Sequence, residues 1–231
     1  MKKSKILFNA LALLAALPLI SSCGLLQNNS MTREEAYPEL YAQKPLSIVI
    51  MPPINQTNKV EAKEAVYASL YKPLVERGYY VFSPMLAQEL LQSESADDAE
   101  LFLEGNLKPF QQVFSADAVL FTIITKWQKM SVLSTIDVGI EYILKSTRDN
   151  KVLFQRSANI TVDCKVVSTS NPLLNLLANT VATGLTDNIV AARRANIFVL
   201  SDLPDGKYAP NYDKDRKTYA GSKNITGTVS R

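Results

Sequence analysis

Apolar and polar residues alternate most regularly in two stretches of this 231-residue chain. Between 132 and 147, Ile136, Val138, Ile140, Tyr142 and Leu144 occupy even positions. Between 151 and 167, Val152, Phe154, Ala158, Ile160, Val162, Cys164 and Val166 do the same, with Arg156 interrupting the set. A period of two places each set on one face of a strand. Two neighbouring strands with one buried face are therefore predicted. Parity then constrains the turn, because cross-strand partners on a shared face must have numbers with an even sum. A two-residue Asp149-Asn150 loop would pair 148 with 151, which is odd. A three-residue loop over 148–150 pairs 147 with 151, a sum of 298. The three-residue loop is expected, with Asn150 left-handed at a bulge; a bulge elsewhere would restore the shorter turn.

Other stretches have other periods. "LSIVIMPP", Leu46 to Pro53, is apolar at five of its first six positions. That marks a strand covered on both faces, stopped by Pro52-Pro53. Val66, Leu70 and Leu74 recur every four residues and predict a helix. Asn58 is its expected N-cap with Glu61 three residues on. Pro73 is expected to kink or end it by deleting the bond to the Ser69 carbonyl, and Gly78 to stop it. Tyr79 to Phe82 reads as a strand, Ser83 to Leu91 as a helix, and 95–104 as a short helix with Asp97 and Asp98 at its positive end. Ala116 to Lys129, apolar on both faces, reads as a central strand. Asn171-Pro172 opens a helix over 171–192 whose buried face is Leu174, Leu177, Val181, Leu185 and Ile189. Strand, helix, strand, helices, three strands and helix make an α/β fold: a mixed β-sheet with packed helices and one long antiparallel hairpin.

The two ends follow no such period. Residues 1–22 have a cationic start (Lys2, Lys3, Lys5), an apolar run from Ile6 to Leu19 and a small-residue end, Ser21-Ser22. This is the pattern of a secretory signal, and it is short for a membrane span. Residues 23–44 read as a polar tether beginning at Cys23, and 45–202 as the folded domain. Residues 203–231, with Pro204, Gly206, Pro210, Tyr208, Tyr212 and Tyr219, read as an extended tail, partly laid on the domain and loose at its end.

Charge alters the picture once the leader is set aside. The formal +3 comes wholly from Lys2, Lys3 and Lys5, so the remaining chain holds 25 − 3 = 22 basic and 22 acidic residues. No basic field for nucleic acid remains. The chain has no histidine, which removes the commonest general base and metal ligand. A catalytic centre, a metal site and a cofactor site are accordingly not expected. Cys164 reads as a buried inert thiol in preference to a reactive one. The run Glu94, Asp97, Asp98, Glu100 and Glu104 lacks calcium-loop spacing and reads as a solvated helix face. Tyr67, Tyr71, Tyr79 and Tyr80 read as core and rim, with an interface patch as the sharper alternative.

Ile20-Ser21-Ser22-Cys23 resembles the bacterial lipobox. The resemblance implies a diacylglyceryl thioether on Cys23, cleavage before it and acylation of its amino group. An ordinary signal peptide whose first mature residue is cysteine is the plain alternative. Each buried CH₂ contributes about 0.8 kcal/mol, and two or three chains hold far longer than one.

"LSIVIMPPINQT", "YKPLVERGYYVFSP" and "ADAVLFTIITKW", in that order behind a lipobox, resemble a family of bacterial lipoproteins of unknown function. That family is similar in fold to the curli-secretion lipoprotein CsgG and to the amino-terminal domain of TolB. The resemblance spans roughly Lys44 to Pro210 and carries no active-site residues. It implies a domain lipid-anchored to the bacterial outer membrane and facing the periplasm. It also implies self-assembly, with a homo-oligomer or other envelope lipoproteins as partners in assembly or export. Gly24 lacks the aspartate that, by family analogy, retains lipoproteins on the inner membrane. A pore-forming secretion subunit is the alternative, since CsgG relatives place two hairpins per subunit in the membrane. Only one long hairpin, 132–166, is legible here, and Arg156 breaks the apolar band that a lipid-facing strand needs. A carboxylate-based hydrolase is the remote alternative.

Overall fold

In a computed structural model, residues 31–130, 133–164 and 184–230 are described. The body begins at Thr32 and runs to the carboxyl terminus as one unit. Cys23, the signal segment and Leu174, Leu177 and Val181 lie outside the described residues. No helix among the described residues is long and apolar enough to cross a membrane.

The first elements are helices α1 (Arg33–Ala36) and α2 (Pro38–Gln43), where a tether is expected. Thr32 caps α1 in a capping box with Glu35. Tyr37, Leu40 and Tyr41 are buried. A three-residue apolar stripe is too short to announce a helix alone, and residues 32–43 fold with the body ahead of the expected boundary at Lys44.

Strand β1 (Ser47–Ile50) is buried at all four positions, as its continuous apolar run requires. The two-residue β2 (Ile54–Asn55) follows the prolines. Helix α3 (Val60–Glu76) starts after Lys59, and no side chain caps it. Pro73 lies inside it and does not end it. Pro73 and Leu74 are both buried, and the packing of this last turn outweighs the lost backbone bond. Gly78, at φ +79°, ends the turn in the left-handed region, where a Cβ would meet the Ala209 backbone nitrogen at 2.2 Å. Strand β3 (Tyr80–Val81) and helices α4 (Pro84–Ser93), α5 (Ala99–Leu103, capped by Asp98) and α6 (Lys108–Phe114) come next.

Three long strands follow: β4 (Ala118–Met130), β5 (Thr135–Ser146) and β6 (Val152–Asp163). The register of β5 with β6 keeps the sum 298 from Ile136–Val162 to Leu144–Phe154. Asn150 is left-handed, at φ 59°. The turn, however, spans 147–150, one residue more than expected, with the Ser146 amide donating to the Lys151 carbonyl. Lys145 then pairs with Val152, and a register slip beside Leu144 restores parity. Val152 consequently leaves the buried face and is 44 % exposed. Helix α7 (Gly184–Val199) extends past the expected end at 192. A 3₁₀ turn (Leu200–Asp202) leads into the tail, whose end forms β7 (Asn224–Val229) and is not loose.

The sheet order is β3-β1-β4-β5-β6-β7, with β2 also against β4. Only the β4–β5 and β5–β6 pairs are antiparallel, so β5 alone opposes the other strands. One face carries the larger core. Ile48, Ile50, Leu120, the even residues of β5 from Ile136 to Leu144, and Phe154, Ala158, Ile160 and Val162 of β6 meet α3, α7, Tyr37, Leu40 and Tyr41 there. On the other face Val49, Met51, Val119 and Phe121 meet Leu91, Ala99, Leu107 and Phe110 of the α4–α6 layer. The long hairpin thus lies within the sheet with its apolar side covered, and the sheet is two-sided only at its β1–β4 half.

At the centre of the larger core the amide of Asn196, fully buried, joins three elements. Its Oδ1 accepts from the Tyr142 hydroxyl, and its Nδ2 donates to the Val66 carbonyl (3.1 Å) and Ser69 Oγ (2.9 Å). Trp127 Nε1 donates to Asn188 Oδ1 at 3.0 Å. These bonds fix the rotation of α7 on the sheet, because a slipped helix would leave buried polar groups unpaired. Asn196→Ala is expected to cost about 1–3 kcal/mol, since it strands the Tyr142 hydroxyl. Adding Tyr142→Phe should recover part of that loss in urea denaturation, and a strictly additive double variant would refute the coupling.

Thr122 lies opposite Tyr142 and is fully buried. Its hydroxyl is the one buried side-chain polar atom among the described residues with no hydrogen-bond partner. Thr122→Val keeps the shape and removes that group. Stability should rise by about 1 kcal/mol, read as a melting temperature about 2–4 °C higher; an unchanged or lower value would contradict the assignment.

Candidate functional site

Two constellations stand out in side-chain geometry. The first joins the ends of the body. Arg33, at the start of α1, bridges two carboxylates of the tail: Nε donates to Asp202 Oδ1 (3.3 Å) and an Nη to Asp215 Oδ2 (3.1 Å). The Tyr37 hydroxyl donates to Asp202 Oδ2 at 2.6 Å and the Tyr41 hydroxyl to Asp215 Oδ1 at 3.0 Å. The Gly221 amide completes Asp202 at 3.0 Å, and the Asp205 amide completes Asp215 at 3.0 Å. Burial, then the bond to the neighbouring carboxylate, pushes both phenols well above their ordinary pKa. They therefore act as fixed donors.

Arg156, the cation that interrupts the apolar face of β6, belongs to the same region. Its guanidinium donates to the Val199 carbonyl (2.9 Å) and the Ser222 carbonyl (3.0 Å). Burial lowers its pKa, and Asp202 opposes that shift. Arg77 holds the tail turn through the carbonyls of Leu203 and Ser201 and through Asp205 at 3.1 Å. With both oxygens of Asp202 and of Asp215 engaged inward, this cluster is a clasp and not a ligand site.

The second constellation is apolar. Helices α4 and α6, with Phe102 of α5, enclose an open groove of about 380 Å³ lined by Leu90, Leu91, Ala96, Phe102, Phe110 and Val113. Phe102 and Phe110 meet edge to face at 5.1 Å, and Phe82 and Phe114 at 5.6 Å. Val113 in its lining is 59 % exposed, and on the helices that form it Met85 is 75 %, Leu101 67 % and Leu86 63 % exposed. Glu94 is the polar group at its edge. The groove can receive apolar side chains and offers no converging set of polar groups to bind or activate a substrate.

Cys164 is buried beside Val162, its Sγ 3.6 Å from the Val162 carbonyl. Of the four tyrosines, Tyr67 and Tyr79 belong to the core, while Tyr71 and Tyr80 are 43 % and 53 % exposed. Among the acids, Asp98 caps α5 by accepting the Glu100 amide at 3.0 Å. Neither constellation is foreseen from the sequence. Helix α6 could have been, since Pro109 sits in its first turn and Phe110, Val113 and Phe114 follow helical spacing.

The family model described as "Putative lipoprotein GNA1162-like" matches residues 35–197. The chain belongs to this family. Its name is that of a lipoprotein and states no activity. A lipoprotein of Neisseria meningitidis serogroup B, NMB1124/NMB1162, is 28 % identical over 178 residues, covering 75 % of this chain and 81 % of the relative. The crystal structure of lipoprotein GNA1162 from Neisseria meningitidis matches with 29 % identity and a TM-score of 0.47, over 60 % of this chain and 96 % of that one. A PelC dodecamer from Paraburkholderia phytofirmans matches at 16 % identity and a TM-score of 0.38, over 71 % and 91 %. Likeness at this level says nothing of assembly in the present chain. The family match covers neither Arg33 nor Asp202, Asp215 and β7, so all three charged members of the clasp lie outside it.

The clasp yields a prediction. Arg33→Ala leaves two buried carboxylates without their shared cation, and should cost about 2–3 kcal/mol. Arg33→Lys should restore little, because an ammonium cannot span both acids as a planar fork does. Urea midpoints check this; full rescue by lysine would show that charge alone matters.

Proposed function

We propose that the protein is a lipid-anchored interaction protein of the bacterial outer membrane, held by acyl chains on Cys23 with its body in the periplasm. In this reading it is not an enzyme. It oligomerises as an accessory to envelope assembly or export, and the α4–α6 groove receives apolar side chains of a second copy. The observation that carries the reading is the groove, with Val113 in its lining and Met85, Leu86 and Leu101 of the same helical layer more than half exposed. Such residues in a chain that otherwise fills two cores mark a contact surface. Membership of a lipoprotein family and the lipobox ending at Cys23 support the anchor. The TolB-like and CsgG-like relationship remains part of this proposal and lends it a setting in the envelope. A channel is the weaker reading, because Ile136, Val138, Ile140 and Tyr142 are covered by α3 and α7 and would have to be stripped before meeting lipid.

Two measurements test the proposal separately. Labelled palmitate should enter the wild-type chain and not Cys23→Ala, and only the variant should leave the envelope fraction in a high-salt wash; unlabelled wild type would overturn the anchor. A photo-crosslinking residue at Leu86 or Val113 should trap a homo-oligomer in intact cells. One at exposed Glu64 on α3 should not. Equal trapping at all three, or none at the groove, would overturn the contact surface.

A further inference from the structure

The chain enters its body at Thr32, nine residues after Cys23. Nine residues span at most about 30 Å however they are arranged. If Cys23 carries lipid, the surface around Thr32 is therefore confined near the headgroups, and its composition has a meaning that a freely diffusing domain would not give it.

The tail forms that surface. Thr32 bridges Tyr219, the Arg33 amide donates to the Thr218 carbonyl at 2.8 Å, and the Glu34 amide to the Arg216 carbonyl at 3.1 Å. Residues 216–219 thus run beside the entry point. The acids of this rim are each paired, Asp215 buried and Glu34, Glu35 and Asp213 at the surface. Asp215 is held by Arg33 and Tyr41. Asp213 is held by Arg216 and Lys44. Glu34 pairs with Arg216, and Glu35 closes the capping box of Thr32. Lys214, Lys217 and Lys223 are exposed, and none is ion-paired among the described residues; the Lys214 ammonium donates to the Pro210 carbonyl at 3.1 Å. Tyr219 is 67 % exposed. Outside the leader the chain's basic and acidic residues balance, so this is a local feature and not an overspill of net charge.

We infer that this rim, Lys214, Lys217, Tyr219 and Lys223, is a docking surface for an anionic phospholipid bilayer, and that it lays the body against the membrane that holds its anchor. The inference rests on the lipid-anchor reading for its setting. The chemistry is that of interfacial segments: ammonium groups attracted to acidic headgroups and an amphipathic ring at the boundary. Each lysine near such a surface is worth about fivefold in binding, and three on the order of a hundredfold.

The test uses the mature chain from residue 23 with Cys23→Ala, so that no acyl chain contributes, and co-sedimentation with vesicles. Binding to phosphatidylglycerol–phosphatidylcholine vesicles is expected, weakened by salt, with none to phosphatidylcholine alone. Lys214→Glu/Lys217→Glu/Lys223→Glu should reduce binding at least a hundredfold, and Tyr219→Ala by a smaller factor. Lys59→Glu/Lys63→Glu/Lys72→Glu, an equal charge change on exposed positions at and within α3, should bind as the parent does. Equal binding to both vesicle types, an unaffected rim variant, an equally affected α3 variant, or binding to DNA in place of vesicles would each overturn the inference. Circular dichroism of each variant confirms that it has folded. Palmitate incorporation is a separate readout, so failure of the anchor and failure of the rim remain distinguishable.

Discussion

The fold depends on burying one face of β5 and β6 and not the other. Ile136, Val138, Ile140, Tyr142 and Leu144 are each at most 1 % exposed. The odd positions between them include Asp137, Gly139 and Glu141. A shift of one residue would carry the whole apolar set to the uncovered side. Every device around the hairpin protects that parity. The slip at Leu144 absorbs the extra residue of the turn. Asn150 takes the positive φ that closes it, and its amide donates to the Gly105 carbonyl at 3.1 Å. Above the face, Asn196 and Asn188 read positions 142 and 127 by hydrogen bonds, so helix and sheet check each other's register.

A sheet covered on one side over half its width cannot close its own ends. The β6 edge is occupied by β7, whose NITGTV sequence lacks an apolar period and has no buried position. What holds it is the ladder with β6 and the clasp upstream. Asp202 and Asp215 accept from Arg33, two tyrosines and two amides, and these bonds offset the cost of removing two carboxylates from water. The clasp thereby secures α1 and α2, so the tail and the entry helices depend on each other.

This dependence explains what sequence patterns reveal and what they conceal. The hairpin was legible because its signal is local, with period two over twelve residues. β1 and the first half of β4 were legible as runs covered from both sides. The entry helices were not, because their stripe is Tyr37, Leu40 and Tyr41 and their polar partners lie 169 and 182 residues away from Arg33. Helix α3 outlasted Pro73 because Leu74 is buried, which no local rule weighs. Helix α7 outlasted its expected end because its packing face runs on through Ala191, Ala192, Ala195 and Val199. Small residues suit close approach to α3 but give a weak hydrophobic period. The groove was missed with α6, whose Phe110 is its only buried residue.

The two cores divide the molecule in a way that bears on function. The entry helices pack into the larger core, on the α3–α7 face. The groove belongs to the layer on the opposite face, where Leu91 and Phe110 cover Val49, Met51, Val119 and Phe121. The sheet stands between the two, so the entry helices and the groove lie on opposite faces. The opposite layer is built of short helices, α5 of five residues and α6 of seven, which hold too little apolar surface to bury fully on one another. Their exposed Leu101 and Val113 are the remainder. A layer this thin cannot close over its own apolar side chains, and the same thinness is what leaves the groove open.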